Sequence, residues 1–362
     1  MGIPLRVGII GVGNISTQYL THIPTLPSLK LIALADLDMA RAAEVAAKAG
    51  VESRSVDELL ASKDIDVILN LTTPGAHAVI AMKTLTAGKH VFGEKPLALT
   101  VEEAKPMMEL AKSSGLRIGS APDTVLGTGI QTSRDLLDSG KIGKPLAASA
   151  FWSAPGHELW HPAPQFYYLP GAGPLFDMGP YYLTALVTLL GPVVSVIGNS
   201  TRSDRKRSVA TGELAGTEIR VEVETHISAL LEHASGVTST IMVSFEVWAA
   251  RLPRIEVYGT EGTISVPDPN MFSDEVQIYT SENREWKVAP ASAGYKEAGR
   301  GFGLADMAIA IDKNQPHRAS GDLAFHVLEI MESILKSAKG DQRITMKSTV
   351  AQPQKVPFSS LT

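Results

Sequence analysis

The sequence predicts an α/β fold, in which an N-terminal doubly wound parallel sheet precedes an α+β domain with a large, mostly antiparallel open sheet. Three observations predict it. Short apolar runs alternate with amphipathic segments early in the chain, the first run ends in a glycine turn, and longer strand-like runs follow Pro122. Because 362 residues exceed one ordinary core, we expect two domains, residues 1–121 and 122–362.

The alternation in the first domain is regular. Its strand-like runs are LRVGII, KLIALA, DVILNLT, HVFG and RIGSA. Amphipathic segments lie between them, at residues 39–48, 76–87 and 101–114. This order is typical of βαβ units, whose parallel strands are buried on both faces.

Longer strands characterise the second domain. Residues 218–233 and 237–247 predict an antiparallel hairpin, and a Glu-Gly turn joins two shorter strands farther on. Near the end, five apolar side chains fall on one helical face: Leu323, Val327, Ile330, Met331 and Ile334. Ser320 precedes them as a candidate N-cap. The uncharged residues 178–201 could span a bilayer, but Gly191-Pro192 divides them into a buried helix and a strand.

Composition excludes several classes of function. A net charge of −5 gives no field that attracts nucleic acid, and we interpret the one basic cluster as a solvated loop: Arg202, Arg205, Lys206 and Arg207. The absence of cysteine excludes disulfides, thiol nucleophiles and thiolate metal sites. The first strand begins without a charged leader before it, so we expect a cytoplasmic protein with no membrane partner.

The glycine turn predicts a dinucleotide site of the Rossmann type. Residues 11–16 match G-x-G-x-x-G/A except that Ser16 takes the last place, and Asp36 ends the second strand. Asp36 would bind the ribose hydroxyls and repel a 2′-phosphate, and no arginine follows it directly, so NAD is favoured over NADP. The alternative is a packing turn with Asp36 as a helix cap. The candidate cofactor contacts here are Gly11, Gly13, Asn14, Ile15 and Asp36.

Two further stretches carry a resemblance to a known family. One is AGKHVFGEKPLALTVEEA, with TTP and His77 upstream of it, and the other is GAGPLFDMGPY at residues 171–181. With these motifs the chain resembles the Gfo/Idh/MocA family, named for glucose-fructose oxidoreductase, inositol dehydrogenase and a rhizopine-catabolism protein. The resemblance covers nearly the whole chain. It implies a Rossmann domain, an open-sheet domain, substrate held between them, and pairing into homodimers or homotetramers.

The resemblance also implies site residues. Lys95 matches the lysine of the Glu-Lys-Pro motif, and Pro96 the proline that often follows a cis peptide. Tyr181 stands where many members place a histidine, four residues after Asp177. By position, the cofactor contacts would include Thr72, Thr73, Pro74, His77, Glu94 and Lys95.

Alcohol oxidation gives these residues a chemical role, because a base must take the hydroxyl proton while hydride leaves to the nicotinamide. We expect Lys95 and Tyr181 to share this task. A cationic nicotinamide would disfavour charged Lys95, and Asp177 and Tyr181 would share a helix face with Pro180 near its start. The alternatives are a surface Lys95, an N-cap Asp177, and a core Tyr181 beside a functional Tyr182.

Residues 157–161 read H-E-x-x-H, the zinc-peptidase signature. Pro162 follows directly and disfavours the continuous helix that a zinc pair needs, so no metal is predicted. We expect instead an aromatic loop over a sugar-binding cleft. The substrate candidates are Lys95, Asp123, Trp152, His157, Trp160, His161, Asp177 and Tyr181. Asp123 and an additional residue, His226, are weaker candidates, for which we favour a structural role.

The sequence thus predicts an NAD-dependent oxidoreductase that acts on a secondary alcohol of a sugar, sugar derivative or cyclic polyol. Two alternatives stay open. One is an NAD-dependent glycosidase that oxidises its substrate transiently and eliminates the aglycone. The other is a non-enzymatic sensor of NAD or sugar, which would not need a proton relay.

Overall fold

The N-terminal part forms a six-stranded parallel sheet in the order β3-β2-β1-β4-β5-β6. A computed structural model of the chain describes residues 3–361. The strands are β1 (Leu5–Ile10), β2 (Leu29–Ala35), β3 (Glu52–Ser53), β4 (Val67–Asn70), β5 (His90–Gly93) and β6 (Ile118–Ser120), and the helices are α1 (Ser16–His22), α2 (Met39–Ala49), α3 (Val56–Ala61), α4 (His77–Thr86) and α5 (Val101–Ser114). The predicted doubly wound sheet is confirmed. Its strand order reverses between β1 and β4, so the loops after these strands diverge and open a crevice.

The C-terminal part is built on a nine-stranded sheet in the order β16-β15-β14-β13-β7-β12-β11-β8-β17. Its strands are β7 (Pro145–Ser153), β8 (Val193–Thr201), β11 (His226–His233), β12 (Thr238–Ser244), β13 (Ile255–Gly259), β14 (Gly262–Val266), β15 (Val276–Thr280), β16 (Lys287–Ala289) and β17 (Ile344–Thr345); β9 (Arg207–Ser208) and β10 (Glu218–Ile219) form a separate pair. The helices are α6 (Thr128–Asp138), α7 (Pro174–Leu190), α8 (Phe302–Asp312) and α9 (Gly321–Gly340). The mostly antiparallel sheet is confirmed, and β7 with β12 is a parallel pair within it.

One predicted strand is shorter than the sequence indicated. The hairpin over residues 218–247 forms only from β11 and β12, and β10 pairs with β9 instead. The reason lies between β10 and β11, where the Glu222 amide donates to the Tyr168 carbonyl at 2.8 Å. This segment therefore leaves the sheet and holds a loop that borders the candidate site.

Helix α7 lies almost wholly buried and carries two of the predicted site residues. The uncharged run forms this helix and β8, as predicted, and no helix among residues 3–361 is long and apolar enough to span a membrane. Pro174 stands at the helix start, whereas Pro180, expected near the start, lies inside the helix. Asp177 is thus in the first turn and not the N-cap, which is Gly173.

The last helices bring the chain back to the first sheet. The Ser120 amide donates to the Ala319 carbonyl at 3.1 Å, and Gly119 forms a β-bridge with Ser320. The Ser320 side chain accepts the Leu323 amide, so the predicted N-cap of α9 is confirmed. Elements of both parts therefore meet at the edge of β6, while the boundary at residue 121 stays a prediction.

A buried histidine on α9 makes stability depend on pH. His326 is fully buried, accepts the Val193 amide at 3.1 Å, and burial lowers its pKa to about 4. Below about pH 6.5 the unfolded chain takes up this proton first, so the free energy of unfolding should fall down to about pH 4, by on the order of 3 kcal/mol. His326→Gln should flatten this dependence in urea titrations. Equal pH slopes in both proteins would contradict this role.

Candidate active site

The turn after β1 leaves room for a phosphate-bearing ligand. Gly11 has φ +97°, and a Cβ there would lie 2.6 Å from the Leu71 carbonyl, so only glycine fits. At Gly13 a Cβ would meet nothing within 4 Å, and Asn14 beside it is exposed. The Ser16 hydroxyl donates to the Gly13 carbonyl at 2.7 Å, so serine in the last motif position closes the turn. This open space at the carboxyl end of a parallel strand fits the pyrophosphate of a dinucleotide.

Asp36 lies beside this turn as an ionised acceptor. It accepts the amides of Val12 at 2.8 Å and Asp38 at 2.9 Å, together with the Arg41 guanidinium at 2.8 Å. Burial alone would raise the pKa of Asp36, but these hydrogen bonds outweigh burial and lower it. A carboxylate has about four acceptor positions, so capacity for a ribose hydroxyl remains. Arg41 was not expected here, because the sequence analysis considered only an arginine directly after Asp36, and Arg41 follows five residues later.

Two of the predicted cofactor contacts, His77 and Glu94, form hydrogen bonds or close contacts with neighbouring loops. The His77 ring is buried, with Nδ1 2.7 Å from the Pro96 carbonyl oxygen and Nε2 3.0 Å from that of Thr72. A neutral ring can donate to only one of these carbonyls, but both nitrogens face the backbone, so the expected direct contact of His77 with the cofactor is not supported. Glu94 accepts the Tyr19 hydroxyl at 2.8 Å and the Lys95 amide at 3.1 Å, and its contact with the cofactor stays a prediction. Thr73, by contrast, is exposed beside the crevice.

Lys95 and Asp177 form the centre of the candidate site. The Lys95 ammonium donates to the Asp177 carbonyl at 2.7 Å and to its carboxylate at 3.0 Å. Lys95 comes from the end of β5, and Asp177 from the first turn of α7, where the helix dipole favours a carboxylate. The Lys95–Pro96 peptide is cis, as the resemblance implied.

The charges of Lys95 and Asp177 stabilise each other. Burial by itself lowers the pKa of Lys95, but Asp177, Tyr181 and Glu94 outweigh burial and raise it. Burial likewise opposes ionised Asp177, yet Lys95 and His157 lower its pKa to about 2. The Asp177 carboxylate therefore favours the ammonium form of Lys95, and the opposing effect of a cationic nicotinamide stays a prediction. As the ammonium, Lys95 is a hydrogen-bond donor and a positive charge, so the proton acceptor must be sought elsewhere.

Tyr181 lies beside this pair, one helical turn after Asp177. The Lys95 ammonium is 5.2 Å from the centre of its ring, and its hydroxyl oxygen accepts a hydrogen bond from Arg300 at 2.9 Å. Arg300 escaped the sequence analysis, because 119 residues separate it from Tyr181. The sequence signal for Arg300 was its position between two glycines, Gly299 and Gly301. Such a pair indicates a tight turn, and Gly301 has φ +104° just before α8.

Asp123, one of the weakest substrate candidates, lies beneath Arg300. It is fully buried, and it accepts the Arg300 guanidinium at 3.2 Å and the amides of Gly301 and Gly303 at 3.0 and 3.1 Å. With no exposed surface, Asp123 cannot contact a substrate in this conformation. It fixes the arginine instead. The other weak candidate, His226, pairs on β11 with Ser244 at 3.0 Å.

The H-E-x-x-H segment forms a short 3-10 turn, His157–Leu159, not a continuous α-helix. The Trp160 indole donates to His157 Nδ1 at 3.2 Å, which places the ring proton on Nε2, and Nε2 lies 2.7 Å from the Asp177 carboxylate. His157 thus orients Asp177, a contact that the sequence did not predict. Trp152 packs behind it, with ring centres 6.0 Å apart.

The aromatic loop, residues 154–173, is anchored by buried charges. Glu158 accepts Arg205 at 2.8 Å and Arg207 at 2.7 Å, and it also accepts the Tyr168 hydroxyl. Arg207 is buried, so the interpretation of the basic cluster as a solvated loop is wrong for this residue. Beyond this anchor, Trp160 is 58% exposed, and its ring contacts that of half-buried His161 at 5.3 Å. The loop is therefore fixed at its base, with aromatic surface at its outer end.

Comparison with known proteins agrees with this geometry. Residues 5–121 match the oxidoreductase family with an NAD-binding Rossmann fold, and residues 130–265 match the GFO/IDH/MocA C-terminal domain. The chain is 28% identical over 311 residues to dTDP-3,4-didehydro-2,6-dideoxy-alpha-D-glucose 3-reductase of Streptomyces antibioticus, covering 83% of this chain and 88% of that protein. It is 26% identical to scyllo-inositol 2-dehydrogenase (NAD(+)) of Bacillus subtilis, covering 79% and 80%.

Solved structures share the fold. A levoglucosan dehydrogenase in complex with NADH has a TM-score of 0.81 at 20% identity, covering 96% of this chain and all of that one. An NAD-binding oxidoreductase from Klebsiella pneumoniae has a TM-score of 0.80 at 24% identity, covering 94% and 98%. At these identities the likeness shows the fold alone. The two matched domains, with the Lys95–Asp177 pair between them, identify the chain as a member of the Gfo/Idh/MocA oxidoreductase family, with an NAD-binding Rossmann domain.

Proposed function

We propose that this protein is an NAD-dependent dehydrogenase of a secondary alcohol in a sugar, sugar derivative or cyclic polyol. The observation that carries the proposal is the ammonium of Lys95, fixed by Asp177 beside the Tyr181 ring at the open end of β5. The relatives named as a sugar 3-reductase and an inositol dehydrogenase act on this class of compound.

The residues divide the chemistry between them. Bound NAD supplies the acceptor for the hydride that leaves the alcohol carbon. Lys95 donates a hydrogen bond to the alcohol oxygen and stabilises negative charge there, and Asp177 holds Lys95 in place. Tyr181, as the phenolate, accepts the hydroxyl proton, which leaves a carbonyl on the product. The reverse order of events reduces a carbonyl, with Tyr181 as the proton donor.

The aromatic loop would bind the rest of the substrate. The rings of His157 and Tyr167 lie 4.3 Å apart, and Trp160 continues this surface outward from Asp177. Aromatic faces stack on the C–H faces of sugar rings, while His161 can bind a hydroxyl. We therefore place the sugar between Lys95 and this loop, with Trp160 and His161 at its far end.

Cofactor choice follows from Asp36 and Arg41. Asp36→Ser should raise the ratio of kcat/KM with NADP to that with NAD by at least about 10-fold, because like charges about 4 Å apart repel by several kcal/mol. The change also frees Arg41 for a 2′-phosphate. Arg41→Ala in the Asp36→Ser background should remove part of this gain. An unchanged ratio in Asp36→Ser would mean that Asp36 does not contact the ribose.

A substrate panel tests the proposal. Purified protein is incubated with NAD and pyranoses, inositols or glycosides, with and without a chelator, and reduced nicotinamide is followed by its absorbance. We expect chelator-insensitive reduction with one class of secondary alcohol. Glycoside cleavage without net reduction would contradict the proposal and support the glycosidase. Binding of sugar without either reaction would support a sensor.

We further propose a cytoplasmic homodimer or homotetramer that pairs through the outer face of the nine-stranded sheet. Apolar side chains stand exposed on several of its strands: Leu146, Ile197, Leu230 and Tyr258. Burial of such a face between copies removes this area from water. A monomer in light scattering would contradict this assembly.

A further inference from the structure

Arg300 makes contacts that the proposed function does not yet use. It is 6% exposed, and its guanidinium bridges Asp123 at 3.2 Å and the Tyr181 hydroxyl oxygen at 2.9 Å. An arginine can only donate hydrogen bonds, so it occupies an acceptor position of the Tyr181 oxygen. The hydroxyl proton must therefore point away from Arg300. Within residues 3–361 this hydroxyl donates to none of the neighbouring side chains.

A second buried triad provides an internal comparison. Tyr295, Asp306 and Arg318 carry the same three side-chain types, and the Arg318 guanidinium lies 3.3 Å from the Tyr295 hydroxyl. There the tyrosine donates its proton to Asp306 at 2.7 Å. In the first triad the aspartate contacts the arginine and backbone amides instead, which leaves the Tyr181 proton unused. The two triads differ in the one feature that proton transfer requires.

We propose that Arg300 is a positioning residue for proton transfer: it directs the Tyr181 hydroxyl toward the substrate and stabilises the phenolate. This inference rests on the proposed function. In oxidation the substrate O–H bond breaks, its proton joins the Tyr181 oxygen, and the O–H electron pair becomes part of the new carbonyl. The proton then leaves Tyr181 for solvent, and Arg300 again faces a phenolate.

The charged and titratable groups around Tyr181 fix the sign of the expected effect. Lys95, Arg300, Asp177 and Tyr167 lie around Tyr181 itself, and Glu94, Asp123 and Tyr19 act on Arg300 behind it. Asp177, Glu94 and Asp123 oppose a phenolate, whereas Lys95 and Arg300 favour it. Lys95 is tied to Asp177 by its own ion pair, so Arg300 is the cation that bonds directly to the oxygen. Its loss should make the phenolate harder to form.

The test compares Arg300→Ala with Arg318→Ala, which removes the arginine of the second triad. In Arg300→Ala we expect a lower kcat with little change in KM, and a pH for half-maximal kcat/KM that moves up, because the hydrogen bond from Arg300 to the Tyr181 oxygen is lost. Millimolar guanidinium should restore part of the turnover. In the Tyr181→Phe background, Arg300→Ala should lower kcat only slightly further, because the two residues act as a unit. Arg318→Ala should lower thermal stability without moving the pH profile.

Two results would overturn the inference. One is that the losses of kcat in Arg300→Ala and Tyr181→Phe multiply in the double variant, and the other is that Arg300→Ala leaves the pH profile unmoved. If Arg300→Ala does not fold, Arg300→Lys gives the same comparison with a smaller expected shift. A readout without substrate separates this inference from the proposed function. The ultraviolet phenolate signal of Tyr181, obtained by subtracting each variant's Tyr181→Phe counterpart, should appear at higher pH without Arg300. Inactivity of the wild type toward all alcohols would contradict the proposed function. The spectrum would still test whether Arg300 stabilises the Tyr181 phenolate.

Discussion

Replacing Lys95 by methionine should lower kcat/KM for the best sugar or polyol by about 10³-fold or more, with NAD affinity changed only a few-fold. The ammonium bonds to Asp177 and lies beside the Tyr181 ring, and methionine keeps the apolar stem of the lysine without its charge. The change also leaves Asp177 with His157 as its only side-chain partner among the described residues. Steady-state kinetics and NAD titration by fluorescence measure both effects.

Lys89 provides the matched control. It is a buried lysine of the first domain, whereas Lys95 is half-buried, and the Lys89 ammonium donates to the backbone carbonyls of Ser62 and Ile65. Lys89→Met should therefore destabilise the fold while turnover per folded molecule stays near normal. Equal losses of turnover in the two variants would mean that Lys95 acts through stability alone.

Tyr181→Phe should lower kcat by about 10²–10⁴-fold, the range for loss of a general acid or base. Phenylalanine keeps the ring that packs beside Lys95 and removes only the oxygen that takes the proton. KM should change little, because Lys95 still binds the alcohol oxygen. Kinetics with a single purified substrate, across a range of pH, measures the loss and the flattening of the profile.

The neighbouring tyrosine is the control for this change. Tyr182 is fully buried, and its hydroxyl points to Asp268 at 3.5 Å. Tyr182→Phe should leave kcat within about 3-fold of the wild type, since surface and packing effects alone are small for a lost hydroxyl. If Tyr182→Phe is the slower enzyme, the assignment moves to the neighbouring residue.

Local sequence patterns predicted most of the first domain. The strand, turn and helix at residues 5–22 and the acidic residue at the end of β2 are separated by fixed distances in the chain, and the glycine conformation follows from sterics. The spacing of Asp177 and Tyr181 likewise placed them on one helix face. Such features depend on neighbours a few residues apart, which a sequence displays directly.

The partners of these residues could not be predicted in the same way. Arg300 reaches Tyr181, and His157 reaches Asp177, only because α8 and the aromatic loop return to the crevice. Arg41 meets Asp36 across the first turn of α2. His77 shows a related difficulty, and the structural role favoured for Asp123 has the same origin: polar residues near a site can hold the backbone, and only the hydrogen bonds distinguish that role from ligand binding.

The measurement that tests the account most directly follows deuterium from the alcohol carbon of the best substrate to the cofactor. We expect wild-type protein to produce reduced NAD that is one mass unit heavier with the deuterated substrate than with the unlabelled one. Tyr181→Phe should slow this transfer, and Tyr182→Phe should not. Product formed with the deuterium retained on carbon, or lost to water without reduced NAD, would contradict hydride transfer to the nicotinamide.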